Sequence, residues 1–331
     1  MATFMNFDSI VPIADAELAR RVQRRLDSLT KPPGSLGRLE ELAMQIALIQ
    51  RTELPSIGRK AMLIFCADHG IVAEGVSPYP AEVTAQMVGN FRAGGAAITV
   101  LCRQYGIEPV IVDMGVGRGT RNFAREAAMT REEAEHAIRA GMDHAGAGEV
   151  LGAGEMGIGN STSAAAVFSA VSGLDPGETA GRGTGLDEAG VARKAETIRR
   201  ALALHRPDAS DAIGVLAAVG GFEIAAIAGL ILGAAMHRRV VVLDGFISCS
   251  AALIAGALAP ASLDYVIFSH RSAERGHRRM LEFLKARPLF ELEMRLGEGS
   301  GAALGINLVE TSVRLYREMA TFESAGVSGV G

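Results

Sequence analysis

The sequence predicts an α/β fold, a parallel sheet covered by helices on both faces. Short apolar runs of strand length alternate along the chain with stretches of helical periodicity. The apolar runs are continuous and end in polar residues, as strands buried on both faces do. With 331 residues, 49% of them hydrophobic and 40 of them glycine, the chain can bury a large core and bring backbones close together.

Residues 15–29 and 38–50 read as amphipathic helices, with Leu39, Leu42, Ile46 and Ile49 at helical spacing in the second. Between them Lys31-Pro-Pro-Gly-Ser-Leu-Gly37 reads as a rigid connection. Residues 60–68 form the first strand-like run and end in Asp68-His69-Gly70. A two-proline loop, 74–80, follows, and a helix starts near Ala81, carrying Glu82 and Gln86. Further strands are expected at 109–113, just before Gly152, and at 239–244, 265–269 and 290–294. Helices are expected at 131–145, 189–204, 222–236, 248–257, 275–285 and 299–323. The last of these packs with the N-terminal helices as a smaller unit, and 326–331 reads as a loose tail.

The glycine-studded stretch from Gly152 to Ser163 reads as a strand-to-helix turn. Its alternate glycines, including Gly157 and Gly159, bare the backbone, and Asn160-Ser-Thr-Ser163 caps the following helix. That combination suits a phosphate or similar anion, or else a tight turn with no ligand. No Gly-Lys-Ser/Thr follows, so it is no ATPase P-loop, and the G-x-G-x-x-G of dinucleotide binders is missing.

Polar residues gather behind the strand-like runs: Asp68-His69, Asp113, Glu155, Asp244-Gly245, Ser269-His-Arg-Ser272 and Arg295 to Gly301. In an open parallel sheet these exits share one edge and can line one pocket. Glu298, flanked by Gly297 and Gly299, reads either as a general base raised by partial burial or as a helix-capping carboxylate. Arg295, with Ser272 and the glycine-rich stretch, offers a phosphate site.

Composition excludes several classes. A formal charge of -4 and the absence of Trp argue against a nucleic-acid partner. Cys66, Cys102 and Cys249 show no C-x-x-C pairing and read as reduced thiols of a cytoplasmic protein. Residues 1–8 lack a basic region followed by an apolar core, so no secretion signal is expected. The apolar window 214–235 is broken by Gly220-Gly221 and Glu223, which speaks against a membrane span. There is no G-x-S-x-G elbow, and the seven histidines show no metal-ligand spacing, so neither metal nor cofactor is expected.

The blocks Lys31-Pro-Pro-Gly-Ser-Leu-Gly37, Ala67-Asp-His-Gly70, Gly75-Val-Ser-Pro-Tyr-Pro80, Gly154-Glu-Met-Gly-Ile-Gly-Asn160, Gly183-Thr-Gly185, Asp244-Gly-Phe246, Ser269-His-Arg-Ser272 and Leu296-Gly-Glu-Gly299 occur in this order. Together they resemble the nicotinate-nucleotide–dimethylbenzimidazole phosphoribosyltransferase family of cobalamin lower-ligand synthesis. The likeness covers roughly residues 25 to 315. It implies a Rossmann-like catalytic unit, 59–305, a small helical unit from 1–58 and 306–331, and a cytoplasmic homodimer. The implied reaction moves the phosphoribosyl group of nicotinate mononucleotide onto 5,6-dimethylbenzimidazole, releasing nicotinate and giving α-ribazole 5′-phosphate with inversion.

By the same resemblance Glu298 is the catalytic base, with Glu155 and Lys194 near the reacting groups. Gly157, Gly159, Asn160, Gly183, Thr184, Gly245, Ser272 and Arg295 fall at nucleotide-site positions. Ser77, Tyr79, Gln86 and Leu296 fall at the benzimidazole wall. One departure is Asn160-Ser-Thr-Ser163, where the family has Asn-Thr-Thr-Pro. A transferase of the same family acting on adenine or a phenol, an NAD-binding oxidoreductase and a catalytically silent nucleotide-binding protein are the rivals. The missing dinucleotide fingerprint counts against the oxidoreductase, and Glu298 counts against the silent binder.

Overall fold

The computed structural model describes residues 6–328. The expectation for residues 1–5, and for 329–331 of the tail, lies outside that range. Five strands form one parallel sheet: β1 (Lys60–Cys66), β2 (Glu108–Asp113), β3 (Val150–Met156), β4 (Val240–Leu243) and β5 (Val266–Phe268). Their order is β2-β1-β3-β4-β5, every neighbouring pair parallel. The chain thus steps one way from β1 to β2 and the other way from β3 onward. The reversal puts a topological switch point between β1 and β3, where such sheets open a crevice at their C-terminal edge.

The expected fold class holds, with three local corrections. The third strand does not stop before Gly152 but runs through Gly152, Gly154 and Glu155 to Met156. Gly152 and Gly154 are therefore extended sheet residues, and the turn is confined to Gly157–Gly159. Their lack of a side chain serves packing. A methyl on Gly152 would meet the Met62 sulfur at 2.7 Å, and one on Gly154 the Glu298 carbonyl carbon at 2.8 Å.

The second correction concerns residues 290–294, which form no sixth strand. Their strand-type pairing is one isolated bridge, His270 with Phe290, and farther on the Ala273 N–H donates to the Met294 carbonyl at 2.9 Å. Glu293 then takes a left-handed backbone, φ 55°, which breaks extension.

The third concerns helix capping. The Asn160–Ser172 helix is preceded by Gly159 at φ 97°, and no side chain caps it. Asn160 is already helical, which frees its amide side chain for another partner.

Two helices longer than a single turn were not expected, Ala97–Tyr105 and Ala212–Val219. The first is short and carries the β-branched run Ile98-Thr-Val100, a poor helical signature. The second merged with its apolar neighbour in the sequence; Gly220-Gly221 separates it from Phe222–Met236. Among the described residues no helix is long and apolar enough to cross a membrane.

The main core joins both faces of the sheet, and the Phe222–Met236 helix is buried from Glu223 to Ala235. A second apolar cluster, Leu18, Val22, Leu26, Leu29, Ala43, Ala47 and Tyr316, stands apart. It joins the Ala16–Ser28 and Arg38–Gln50 helices to the far end of the Ser300–Glu318 helix. That last helix is continuous, so its first turns rest on the sheet edge and its last turns on the N-terminal helices.

Candidate active site

A cavity of about 660 Å³ opens at the C-terminal edge of the sheet. Its walls come from the exits of β3, β4 and β5, the 295–298 loop and the helix after the two-proline loop. Of the polar strand exits, those at Glu155, Asp244, His270 with Ser272, and Arg295 with Glu298 converge here. Asp68 and Asp113 do not. Their carboxylates accept backbone N–H groups of Gly117, and of Gly115 and Val116, tying down the loop after β2.

Glu155 ends β3 and is 4% exposed. Asn160 donates its side-chain N–H to Oε2, and the Glu298 backbone N–H donates to Oε1 at 3.3 Å. Burial pushes the Glu155 carboxyl up to about 8; the charges of Asp244 and Glu223 add to this, and the two hydrogen bonds oppose it.

Glu298 sits on a loop of three consecutive left-handed residues, Gly297 (φ 85°), Glu298 (φ 64°) and Gly299 (φ 95°). For a glutamate this conformation is costly and needs external support. Asp244 supplies it. Its Oδ2 accepts the Gly299 N–H at 2.9 Å and its Oδ1 the Gly301 N–H at 2.7 Å, with His270 Nε2 at 3.3 Å from Oδ1. Asp244 thus caps the Ser300–Glu318 helix from a different strand. The close backbone approach of Gly154 leaves room for the loop.

The Glu298 carboxylate is held against the cavity with Oε2 buried and without a hydrogen-bond partner. Burial raises its pKa and the Asp244 charge adds to that, against the Ile98 N–H. Oε2 is closed off from solvent, and that desolvation makes the carboxylate more basic, as suits a group that takes a proton from a bound ligand.

Part of the cavity lining is polar. Asn160, Ser161, Gly183, Thr184, Gly245, Ser272 and Arg295 belong to it. The Arg295 guanidinium donates to the Gly183 carbonyl at 3.2 Å and pairs with no carboxylate among the described residues. Lys194 is not in the wall. It is 1% exposed behind Ser161, donating to its Oγ at 2.9 Å, and burial lowers its amine to about 8 while Glu274 pulls it back up. With one of its two lone pairs taken by that donor, the Ser161 hydroxyl keeps its O–H free to donate toward the cavity.

The apolar lining includes Tyr79, Val83, Met87, Phe246, Ile247 and Leu296. Ser77 stands outside, its Oγ 3.1 Å from the Thr184 Oγ1. Gln86 is exposed and off the cavity, because Val83 and Met87, one helical turn apart, take the inward face. Gly159 is also outside; a methyl there would meet His69 and Ile71 rather than the cavity. Asp244, Val83, Met87, Phe246 and His270 line the cavity without having been singled out as site residues. Asp244 and His270 carried a signal as strand exits and Phe246 as part of the Asp244-Gly-Phe246 block; Val83 and Met87 carried none.

A family profile described as "Phosphoribosyltransferase" matches residues 11–327. The chain is 50% identical to the nicotinate-nucleotide–dimethylbenzimidazole phosphoribosyltransferase of Roseiflexus sp. (strain RS-1), over 97% of this chain and 96% of that one. It is also 50% identical to the enzyme of the same name from Cupriavidus necator, over 98% and 99% of the two chains. Among solved structures, the crystal structure of CobT from Thermus thermophilus superposes with a TM-score of 0.90 at 43% identity, covering 95% of this chain and all of that one.

Proposed function

This chain belongs to the nicotinate-nucleotide–dimethylbenzimidazole phosphoribosyltransferase family, and from that premise we propose how its cavity carries out the transfer. The phosphoribosyl group of nicotinate mononucleotide passes to 5,6-dimethylbenzimidazole, giving nicotinate and α-ribazole 5′-phosphate for the nucleotide loop of cobalamin. The phosphate lies against the polar lining, at Ser161, the Gly183-Thr184 loop and Arg295. The benzimidazole lies between Tyr79, Val83, Met87 and Leu296. A volume of about 660 Å³ suits two small molecules side by side.

Glu298 takes the benzimidazole N–H proton as the ring's other nitrogen forms its bond to the anomeric carbon. The bond from that carbon to the pyridinium nitrogen breaks, and its electron pair neutralises the ring, so nicotinate leaves without a general acid. Glu155, near the end of β3, faces the sugar, and the positive charge that builds there favours the ionised form of its raised carboxyl. Lys194 acts from behind, through Ser161. The observation that carries this reading is Glu298 in the cavity wall with one carboxylate oxygen, Oε2, buried and without a hydrogen-bond partner.

The assembly we propose is a cytoplasmic homodimer. The separate apolar cluster of the N-terminal helices supports treating 1–58 and 306–331 as a small helical unit beside a catalytic unit of 59–305. Light scattering on the purified chain checks the dimer.

Incubation with nicotinate mononucleotide and equimolar 5,6-dimethylbenzimidazole, adenine and a simple phenol, with products read by mass, tests the reaction. Ribosylated dimethylbenzimidazole is expected to dominate. A dominant adenine or phenol product would move the chain to another acceptor, and no ribosylated base at all would end the transferase reading.

A further inference from the structure

We propose that Ser163, His69 and Glu223 form a buried positioning device that pins the Gly157–Asn160 turn and, through Asn160, aims the Glu155 carboxylate at the sugar. None of the three lines the cavity. His69 Nδ1 lies 3.0 Å from Ser163 Oγ and Nε2 lies 2.8 Å from Glu223 Oε1, with the imidazole and the carboxylate fully buried. Three elements are thereby joined: the exit of β1, the first turn of the Asn160–Ser172 helix, and the first turn of the Phe222–Met236 helix.

The ring is also a peg. It fills space that two glycines, Gly157 and Gly221, leave by having no side chain. A methyl on Gly157 would lie 3.2 Å from its Cδ2 and Nε2. A methyl on Gly221 would collide with the ring carbon between the nitrogens. The turn so clamped closes with the Asn160 N–H on the Gly157 carbonyl at 3.0 Å, and Asn160 then holds Glu155 Oε2.

A buried carboxylate beside an imidazole is a weak source of stability, because desolvation offsets the attraction. The chain leaves Glu223 Oε2 buried without a hydrogen-bond partner, and its two directional contacts instead select one geometry of the elements they join. Here the geometry selected is that of the residues carrying Asn160. Glu155 needs such support, since its side chain has no partner in its own strand.

The inference rests on the transfer reading, and two measurements separate them. Amide hydrogen exchange needs no substrate. In His69→Ala, residues 157–163 are expected to exchange about tenfold faster or more, while the Asp244-held amides of Gly299 and Gly301 keep their protection. In the transfer assay the same variant is expected to lose about tenfold or more in kcat, with the dimethylbenzimidazole KM within about twofold. His69→Gln, whose amide reaches toward Glu223, regains part of the loss. Asn160→Ala placed in the His69→Ala background costs little more, because both act on one link.

Additive losses in that double variant, or unchanged exchange at 157–163, would overturn the device. If His69→Ala does not fold, Ser163→Ala removes one hydrogen bond, leaves the peg, and is read in the same two ways. A wild-type chain that ribosylates no base ends the transfer reading alone; exchange still judges the device.

Discussion

The backbone N–H of Glu298 donates to the Oε1 of Glu155 at 3.3 Å, across a chain separation of 143 residues. The two glutamates of the cavity are thus mechanically linked: the strand that ends in one anchors the loop that carries the other. Each is set by a different neighbour, Asn160 for Glu155 and Asp244 for the Glu298 loop.

Replacing the proposed base separates chemistry from binding. Glu298→Gln keeps the shape of the side chain but cannot accept the proton. It is expected to lose about 10²–10⁴-fold in kcat, the usual contribution of a general base, while binding nicotinate mononucleotide nearly as well. Unchanged turnover would remove Glu298 from that role.

Asp244 is expected to matter through the loop it holds. In Asp244→Asn one acceptor oxygen becomes an N–H₂ facing a backbone N–H, either that of Gly299 or that of Gly301. Leaving such a buried group unsatisfied costs about 1–3 kcal/mol. Both the thermal midpoint and kcat fall. A variant with native stability and full kcat would show that the three left-handed residues hold themselves.

Gly154→Ala probes the close approach of β3 to the Glu298 loop. The added methyl would sit 2.8 Å from the Glu298 carbonyl carbon, with backbone rather than a flexible tip in the way. Overpacking of this kind costs about 1–3 kcal/mol. Loss of stability together with loss of kcat is expected, read by thermal unfolding and the mass assay. A silent substitution would refute the contact.

Acceptor binding distinguishes Met87 from its neighbour Gln86. Met87→Ala is expected to raise the dimethylbenzimidazole KM about tenfold or more, since lost apolar contact in a pocket is worth roughly 1–3 kcal/mol. Gln86→Ala should leave it unchanged, because the side chain is exposed and off the cavity. The opposite ranking would place the acceptor elsewhere.

Stability should fall with pH because of Glu155. Its carboxyl titrates at about 8 in the folded chain against an ordinary 4.5, so between these values the folded state holds more protons than the unfolded. Stability therefore decreases as pH rises through that window and levels off above it. Lys194 acts in the adjoining window: titrating at about 8 against 10.5, it makes stability rise with pH between those values. Glu155→Gln flattens the lower slope, and Lys194→Met the upper one, in thermal midpoints recorded across both windows. Slopes that survive these substitutions belong to other groups.

Much of this protein is legible in its sequence, for a physical reason. Period-2 and period-3.6 signals are local, so continuous runs such as 60–66 and 240–243 and amphipathic stretches such as 131–143 declare themselves. Polar residues behind apolar runs mark the functional edge of a parallel sheet, and Glu155, Asp244, His270 and Glu298 all stand there. What the sequence does not contain is which neighbour crosses which. Gly152 and Gly154 read as a ligand cradle, yet they lie in a strand and make room for Met62 and the Glu298 loop, a contact set by the Ser300–Glu318 helix. Gln86 and Met87 are adjacent in the chain, and only packing of their helix decides which faces inward. Residues 290–294 alternate like a strand, but one left-handed residue, Glu293, turns them into the loop that leads to Arg295 and Glu298. Chemistry at this edge was written in residue types; its geometry was decided by contacts between residues far apart in the chain.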